Sequence, residues 1–342
     1  MKRCIKNVMF LAIAICLLLR TTNGRAQDST FGKVSTVIAY SSDQHCAFTD
    51  LTYYKGYFYL VFREAPVHVV SPEALKNSYL VIMKSKNGNS WKVQQKIHNE
   101  GTDFRDPKFL IIPTGSKPGL FITTFGMKSY KSPSSIDADN YYISLDASGK
   151  WSSPVKFNLP DVKGNRLWLW RPTYYNGKYY GLAYQFYTDS KSKIFLLSGS
   201  SLNNMNIEKN YDLPDIPTEG TIKFNNKGNP FVIIRRETGP SLIGAGDSDT
   251  SAWKELPIKG IGGPNILPEG QDTLLVAGRI DGQTKVWLYD LNKNKKLKSI
   301  TLTDAQETGY PGIVQRANRY YISYYAINNG KSEIRVANFK KK

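Results

Sequence analysis

Six short polar or turn-forming clusters hold side chains that could do chemistry together. They are His45-Cys46-Ala47, Arg105-Asp106-Pro107, Arg171-Pro172, Glu219-Gly220, Gly263-Pro264-Asn265 and Tyr310-Pro311. Among them stand carboxylates, arginines, a histidine, an amide and a phenol, groups suited to moving protons and holding anions. Each cluster opens a strand signal. Between His45, Asp106, Arg171, Glu219, Gly263 and Tyr310 the gaps are 61, 65, 48, 44 and 47 residues. A period of roughly 40–50 residues with four strands per unit is the signature of a β-propeller. Such a ring starts every innermost strand around one central pit, so residues far apart in sequence can share a site. The expected fold is all-β: a six-bladed β-propeller of four-stranded antiparallel blades, one domain over residues 27–342.

The elements needed to build that ring are legible. Runs such as Phe58–Phe62, Leu120–Phe125, Tyr179–Tyr184, Pro230–Arg235, Leu274–Ala277 and Tyr320–Tyr325 are rich in β-branched and aromatic residues. Gly, Asn, Asp, Ser and Pro turns separate them. Pro72-Glu73-Ala74-Leu75 reads as one helical turn inside an insertion, and Ser129 to Asn140 as a long surface loop. These two stretches account for the longer first two units. The last unit is one strand short, and Ser35–Tyr40 is expected to supply it, tying the chain ends together. Three polar turns each end on a tryptophan, at Ser85 to Trp91, Asp146 to Trp151 and Asp247 to Trp253. They read as hairpins stapled by local side-chain hydrogen bonds over an aromatic plug, away from the pit.

Composition narrows the setting. Lys2, Arg3 and Lys6 precede an apolar run from Val8 to Leu19, with small residues ending at Ala26: a secretory signal, residues 1–26. The expected location is secreted or periplasmic, with no membrane attachment after cleavage. The formal net charge of +18 includes five basic and no acidic leader residues, leaving the mature chain near +13. For an exported protein this basic surface favours an acidic glycan. No basic helix, zinc spacing or RNP-like aromatic motif supports nucleic acid. Cleavage leaves Cys46 as the single cysteine, a buried thiol rather than half of a disulfide, so the fold must rest on its core. Metal-binding motifs and a phosphate-cradling glycine loop are absent, which argues for hydrolysis without a cofactor.

The tryptophan turns resemble degenerate Asp boxes of the sialidase superfamily. Phe62-Arg63-Glu64, Arg105-Asp106-Pro107, Glu219 with Arg235-Arg236, Gly262-Gly263-Pro264-Asn265 with Arg279, and Gly309-Tyr310-Pro311 resemble the same superfamily in order and spacing. Together they cover roughly residues 40–340. The resemblance implies a six-bladed propeller and a retaining, exo-acting glycosidase. It implies Tyr310 as nucleophile, Glu219 as its partner, and Arg235 and Arg279 as two arginines that hold a substrate carboxylate. Glu333 matches the acid that braces the family's first arginine. Two features depart from the pattern. The first arginine's place reads His45-Cys46-Ala47-Phe48, and the acid/base aspartate's place reads Pro66-Val67-His68.

The chemistry of these residues supports those roles. A phenol has a pKa near 10, so a carboxylate must take its proton as attack begins. A phenolate also repels an anionic sugar less than a carboxylate would. Asp106 is a candidate substrate ligand or leaving-group acid. Arg63, His45 and His68 cluster on blade one, where His68 is a second candidate for the missing acid. Arg105, Arg171 and Asn265 complete the candidate binding set, and Arg236 should face away from Arg235 across its strand. The bland alternative for Tyr310 is one of 22 tyrosines filling a strand edge. Rival functions are a non-catalytic carbohydrate-binding propeller, a glycan lyase, and a hydrolase using Asp106 and Glu219 as a carboxylate pair. The reading is of a monomer acting on a glycan that carries a terminal sugar acid.

Overall fold

In the computed structural model the described residues are 29–114, 118–132, 135–162, 166–185, 192–247, 250–302 and 305–341. The segment expected to be a secretory signal, residues 1–26, lies outside them. They form six sheets, each a run of antiparallel hairpins. Blade one is His45–Tyr54, Tyr57–Ala65, Tyr79–Ser85 and Lys92–Ile97, counted from the axis outward. Blade two is Asp103–Ile112, Gly119–Ser132, Ser135–Ser144 and Val155–Phe157. In blade three the innermost strand is split into Leu167–Leu169 and Thr173–Tyr175, followed by Lys178–Gln185, Ile194–Ser201 and Asn204–Tyr211. Blade four comprises Pro217–Phe224, Pro230–Arg236, Pro240–Ala245 and Lys254–Lys259. Blade five comprises Gly262–Pro268, Thr273–Ile280, Gln283–Asp290 and Lys295–Leu302, with Ser29–Thr30 added in parallel at its outer edge.

Blade six takes Glu307–Arg316, Arg319–Asn328 and Lys331–Lys340 from the C-terminal end, and its outer strand Ser35–Ser42 from the N-terminal end. Val37 pairs with Val336 in that closing ladder. The ring is thus closed by the strand the sequence offered for it.

The blades pack face to face, which explains why their middle strands are apolar on both sides. Along Tyr57–Ala65, Phe58, Leu60 and Phe62 enter the core shared with Tyr325 and Val336 of blade six. Tyr59 and Val61 point the other way, into the core shared with Phe109, Leu120 and Ile122 of blade two. One strand therefore serves two interfaces by the two-residue alternation of its side chains. The outer strands are different. Lys92–Ile97 is half exposed and carries Lys92 and Lys96, which blunts its free edge against strand addition, while the edge of Lys295–Leu302 is partly covered by Ser29–Thr30.

Two local expectations have different outcomes. The turn at Pro72 is a helix, Pro72–Asn77, capped by Ser71 Oγ, which accepts from Ala74 N at 3.1 Å. The stretch from Ser129 to Asn140 is not a surface loop. Its backbone continues the ladder between Gly119–Ser132 and Ser135–Ser144, with Met127 opposite Ala138 and Tyr130 opposite Ile136. Ladder hydrogen bonds belong to the backbone, so a polar composition does not prevent a hairpin from extending.

The tryptophan turns all connect third to fourth strands, at the blade edges. Asn87 Oδ1 accepts from Asn89 N at 2.9 Å and Ser90 N at 3.0 Å, while Trp91 Nε1 donates to Gly88 O at 3.0 Å. In blade two, Asp146 Oδ1 accepts from Lys150 N at 2.9 Å beside the buried Trp151. Trp253 Nε1 donates to Ala245 O at 2.8 Å in blade four.

Candidate active site

Five innermost strands break register at the same level. The shifts fall between Ala47 and Asp50, Arg105 and Lys108, Pro217 and Gly220, Gly262 and Asn265, and Gly309 and Gly312. Blade three is interrupted there instead, at Trp170-Arg171-Pro172. A bulge adds a residue on one strand and re-aims its side chain. Four of these bulges carry a left-handed residue: Phe48 (φ 61), Asp106 (φ 50), Gly263 (φ 60) and Tyr310 (φ 52). Glycine adopts that conformation freely, and at Gly263 a Cβ would come within 2.7 Å of Tyr310 Cα. Phenylalanine, aspartate and tyrosine adopt it only under strain that the surrounding fold must hold, a pattern concentrated at functional sites. The bulges turn these side chains into the pit.

At the centre Tyr310 Oη donates to Glu219 Oε1 at 2.8 Å. Arg235 Nη1 donates to the same Oε1 at 3.0 Å and reaches Tyr310 Oη at 3.4 Å. Gly263 N donates to Glu219 Oε2 at 2.6 Å, made possible by the glycine bulge. Three donors from blades four, five and six thus converge on one carboxylate. The phenol is buried at 8% exposure, between Phe48 (ring centroids 5.0 Å apart) and Trp170 (6.1 Å). Burial, then the Glu219 charge, raises its pKa well above the ordinary value, with Arg235 acting in the opposite direction.

The two arginines carry resident carboxylates that sequence reading missed. Arg235 Nη2 donates to Glu237 Oε2 at 2.8 Å, and Thr218 Oγ1 donates to Glu237 Oε1 at 3.0 Å. Arg279 Nη1 donates to Glu307 Oε1 at 2.7 Å and to Tyr325 Oη at 3.0 Å, while Tyr325 also donates to Glu307. The Arg279 guanidinium lies 5.5 Å from the Tyr310 ring centroid. Glu237 stands two residues beyond Arg235 and Glu307 three before Tyr310, so adjacency was the available signal. As expected, Arg236 turns away, to Asp215 at 3.1 Å and Glu255 at 2.5 Å.

Asp106 forms the second acid centre. It is 5% exposed, its Oδ1 has no hydrogen-bond partner, and its nearest cation is Lys108 Nζ at 4.0 Å. Burial raises its pKa to about 7; Lys108 opposes the shift and Glu219 adds to it. Lys108, itself buried, stands 4.7 Å over the Trp170 ring. An unpartnered carboxyl that titrates near neutrality, close enough to feel Glu219, can give up a proton or bind a hydroxyl.

Blade one supplies the rim. Arg63 donates through Nε and Nη2 to the two oxygens of Asp103 at 2.6 and 2.9 Å, and through Nη1 to Val67 O at 3.0 Å. It is fully buried, so its place is behind the pit wall rather than against substrate. The same Asp103 takes Arg105 Nη1 at 3.3 Å, and Arg105 also holds His68 O at 2.8 Å. The insertion bearing the helix is thereby pinned above blade two. His68 Nδ1 and His45 Nε2 stand 3.3 Å apart. Lost hydration first, then His68 for His45 and Arg105 for His68, lowers their pKa values, to about 3 for the half-buried His45 and about 4 for the more exposed His68. Both rings are neutral at neutral pH, which leaves His68 without the proton that a replacement acid would need.

Arg171, Asn265 and Glu333 lie elsewhere than expected. Arg171 Nη1 donates to Asp50 Oδ1 at 2.6 Å and Asn265 Nδ2 to Pro311 O at 3.3 Å. Both line a cavity further down the axis. They follow their bulges, so the strands carry them past the level of Tyr310. Glu333 pairs with Arg335 on its own strand at 2.6 Å, not with a blade-one arginine. Cys46 is fully buried, with its thiol pKa pushed up to about 12 by burial, an inert core group as expected.

No protein-family model and no curated protein matches the chain. Solved structures do. A Trypanosoma rangeli sialidase mutant displaying trans-sialidase activity superposes with a TM-score of 0.66 at 11% identity, over 91% of this chain and 59% of that one. The T. rangeli sialidase in complex with sialic acid gives 0.64 at 12%, over 90% and 57%. The Penicillium chrysogenum α-L-arabinanase complexed with arabinobiose gives 0.66 at 13%, over 90% and 98%. This chain thus spans less than two thirds of the sialidases' length and nearly all of the arabinanase's. At such identities the likeness is one of fold, the six-bladed propeller that the sequence resemblance implied.

Proposed function

We propose that the chain is an exported, retaining, exo-acting glycoside hydrolase in which Tyr310 is the nucleophile. The observation that carries this reading is the triangle of Tyr310 Oη, Glu219 Oε1 and Arg235 Nη1, with separations of 2.8, 3.0 and 3.4 Å. A buried phenol is a poor nucleophile until a base removes its proton, and Glu219, which accepts the Tyr310 hydrogen bond, is that base. In the first step Tyr310 Oη attacks the anomeric carbon while its proton passes to Glu219. The glycosidic C–O bond breaks, and Asp106 protonates the leaving oxygen. Arg235 steadies negative charge on the phenol oxygen as it forms. In the second step Asp106 deprotonates a water that attacks the glycosyl-tyrosine, and Glu219 returns the proton to Tyr310. Two displacements retain configuration.

The glycone we assign is a sugar acid, sialic acid or a relative, on an anionic glycan. Both Arg279 hydrogen bonds, to Glu307 and Tyr325, leave from Nη1, and Arg105 stacks on Phe48 at 4.8 Å beside the same pit. In this reading Arg279 and Arg105 take the carboxylate, while Arg235, which the sequence also offered for it, is engaged by Glu219 and Glu237. A second reading rests on Glu237 and Glu307, which already neutralise Arg235 and Arg279. With its charges paired in this way the site also suits a neutral sugar bound through hydroxyls, a class that includes the arabinobiose of the arabinanase complex. The signal-like N-terminal sequence and the net basic charge support our reading of an exported protein acting on acidic glycans, and we take it to act as a monomer.

Product release from sialosides, uronides and neutral aryl glycosides, with Tyr310→Phe and Glu219→Gln alongside, tests the proposal. Retained anomeric configuration and loss of turnover in both variants are expected. Glycan binding without product across the panel would favour a lectin-like propeller, and an ultraviolet-absorbing unsaturated product would identify a lyase.

A further inference from the structure

Below the bulges the six innermost strands enclose a second cavity of about 270 Å³, entered from the face opposite the pit. Every blade contributes to it, among others through Asp50, Phe109, Arg171, Lys223, Asn265 and Ile313. Its charges are unbalanced. Asp50 is saturated: one oxygen takes Arg171 Nη1 at 2.6 Å and the other takes Phe109 N at 2.8 Å. Arg171 is 3% exposed, and its Nε makes no hydrogen bond. Lys223 has no ion pair or hydrogen bond among the described residues. Lys108 stands just above, its charge felt by Arg171 and Asp50 as well as by Asp106. Three cations, Arg171, Lys223 and Lys108, therefore share the axis with Asp50 and Asp106, with Glu219 adding its charge from the pit side. Burial, reinforced by Arg171, pushes the Lys223 ammonium pKa down to about 8. A cation partly withdrawn from water without a partner is costly, and a bound anion offsets that cost.

We propose that this cavity is a binding site for a small oxyanion, phosphate, sulfate or a free carboxylate, held between the Arg171 guanidinium edge and the Lys223 ammonium. A guanidinium and an ammonium lining one cavity are donors of the kind that hold an oxyanion by charge-assisted hydrogen bonds. The site is separate from Tyr310 and Glu219, and stands whether or not the hydrolase reading does.

Thermal unfolding of the full mature chain in inorganic phosphate, sulfate, acetate and chloride at constant ionic strength tests it. A ligand bound only by the folded state raises Tm saturably. The rise is expected with at least one oxyanion and not with chloride. Lys223→Met should weaken the apparent affinity at least tenfold, Lys223→Arg should keep it, and neither should change turnover at the pit. Equal effects of all salts, or an unchanged rise in Lys223→Met, would overturn the proposal. A crystal soaked in selenate gives a readout independent of any variant. Anomalous selenium density between Arg171 and Lys223 is expected, and a cavity holding water alone would refute the site.

Discussion

Replacing Tyr310 by phenylalanine separates chemistry from folding, because the structure predicts unequal costs for the two. The lost hydroxyl takes with it one hydrogen bond to a charged acceptor, at 2.8 Å, and a long contact to Arg235 at 3.4 Å. A hydrogen bond of that kind is worth about 1.5–3 kcal/mol. Glu219 keeps Arg235 at 3.0 Å and Gly263 N at 2.6 Å, so no buried charge is left bare. The ring keeps its neighbours Phe48 and Trp170. We therefore expect a stability loss of about 1–2 kcal/mol, a few degrees in Tm for a chain of this size. Catalysis should fall much further. Without an oxygen at the attacking position no covalent intermediate forms, and kcat/KM should drop at least about 10³-fold, or about 4 kcal/mol. The assay is kcat/KM on an activated aryl glycoside of the preferred sugar, with a melt on the same preparation. A 2-fluoro sugar that accumulates the intermediate adds a second readout, its mass located on the peptide bearing Tyr310. Turnover within about tenfold of wild type, or label on Glu219 instead, would refute the tyrosine mechanism and favour the carboxylate pair.

Asp106 must carry its proton in the first step, so kcat/KM should decline as pH rises through about 7. Asp106→Asn should remove that limb and lose about 10²-fold or more on poor leaving groups, less on good ones. The histidine pair affects stability with the opposite sign. Folding lowers their pKa values from 6.5 to about 3 and about 4, so the folded state binds fewer protons. Stability should be full above 6.5 and decline as pH falls from there toward 3, and the double variant His45→Asn/His68→Asn should flatten that part of a denaturation series. Arg63→Met takes two short hydrogen bonds from the buried Asp103 carboxylate and leaves it only the 3.3 Å contact to Arg105, so it should cost about 3 kcal/mol by chemical denaturation, partly restored when Asp103→Asn is added. Asn87→Ala removes the acceptor of two turn amides and should cost about 0.5–2 kcal/mol with kcat/KM unchanged, because that hairpin is at the blade edge.

Much of the ring was legible because a propeller is a local repeat. Each strand pairs mainly with its sequence neighbour, so hairpin signals and their period translate directly into blades. The closing strand at Ser35 was readable for the same reason: one unit lacked a strand and one strand lacked a unit. Tyr310, Glu219 and Arg235 emerged as a set through their order along the chain, and the fold does bring them together. The loop reading of residues 129–140 failed because it judged backbone pairing by side-chain polarity.

Which way a side chain faces was another matter. Whether a residue sits before, in or after a bulge decides if it enters the pit, the wall or the lower cavity. Nothing in the composition of Arg171-Pro172 or Pro264-Asn265 marks that register. Arg63 looks like a ligand in sequence, yet it is sealed against Asp103, forty residues away. The charge partners Glu237 and Glu307 were visible as letters but not as partners, since an ion pair exists only once side-chain directions are set. Asp106 shows the division most clearly. Its type and place in the repeat made it a candidate acid. Its proton affinity near neutrality comes from burial, an unpartnered oxygen and the nearby Glu219 charge, which only the assembled ring supplies. Sequence set the period and the residue types, because those are local; the tertiary structure set burial, register and charge pairing, because those depend on all six blades at once.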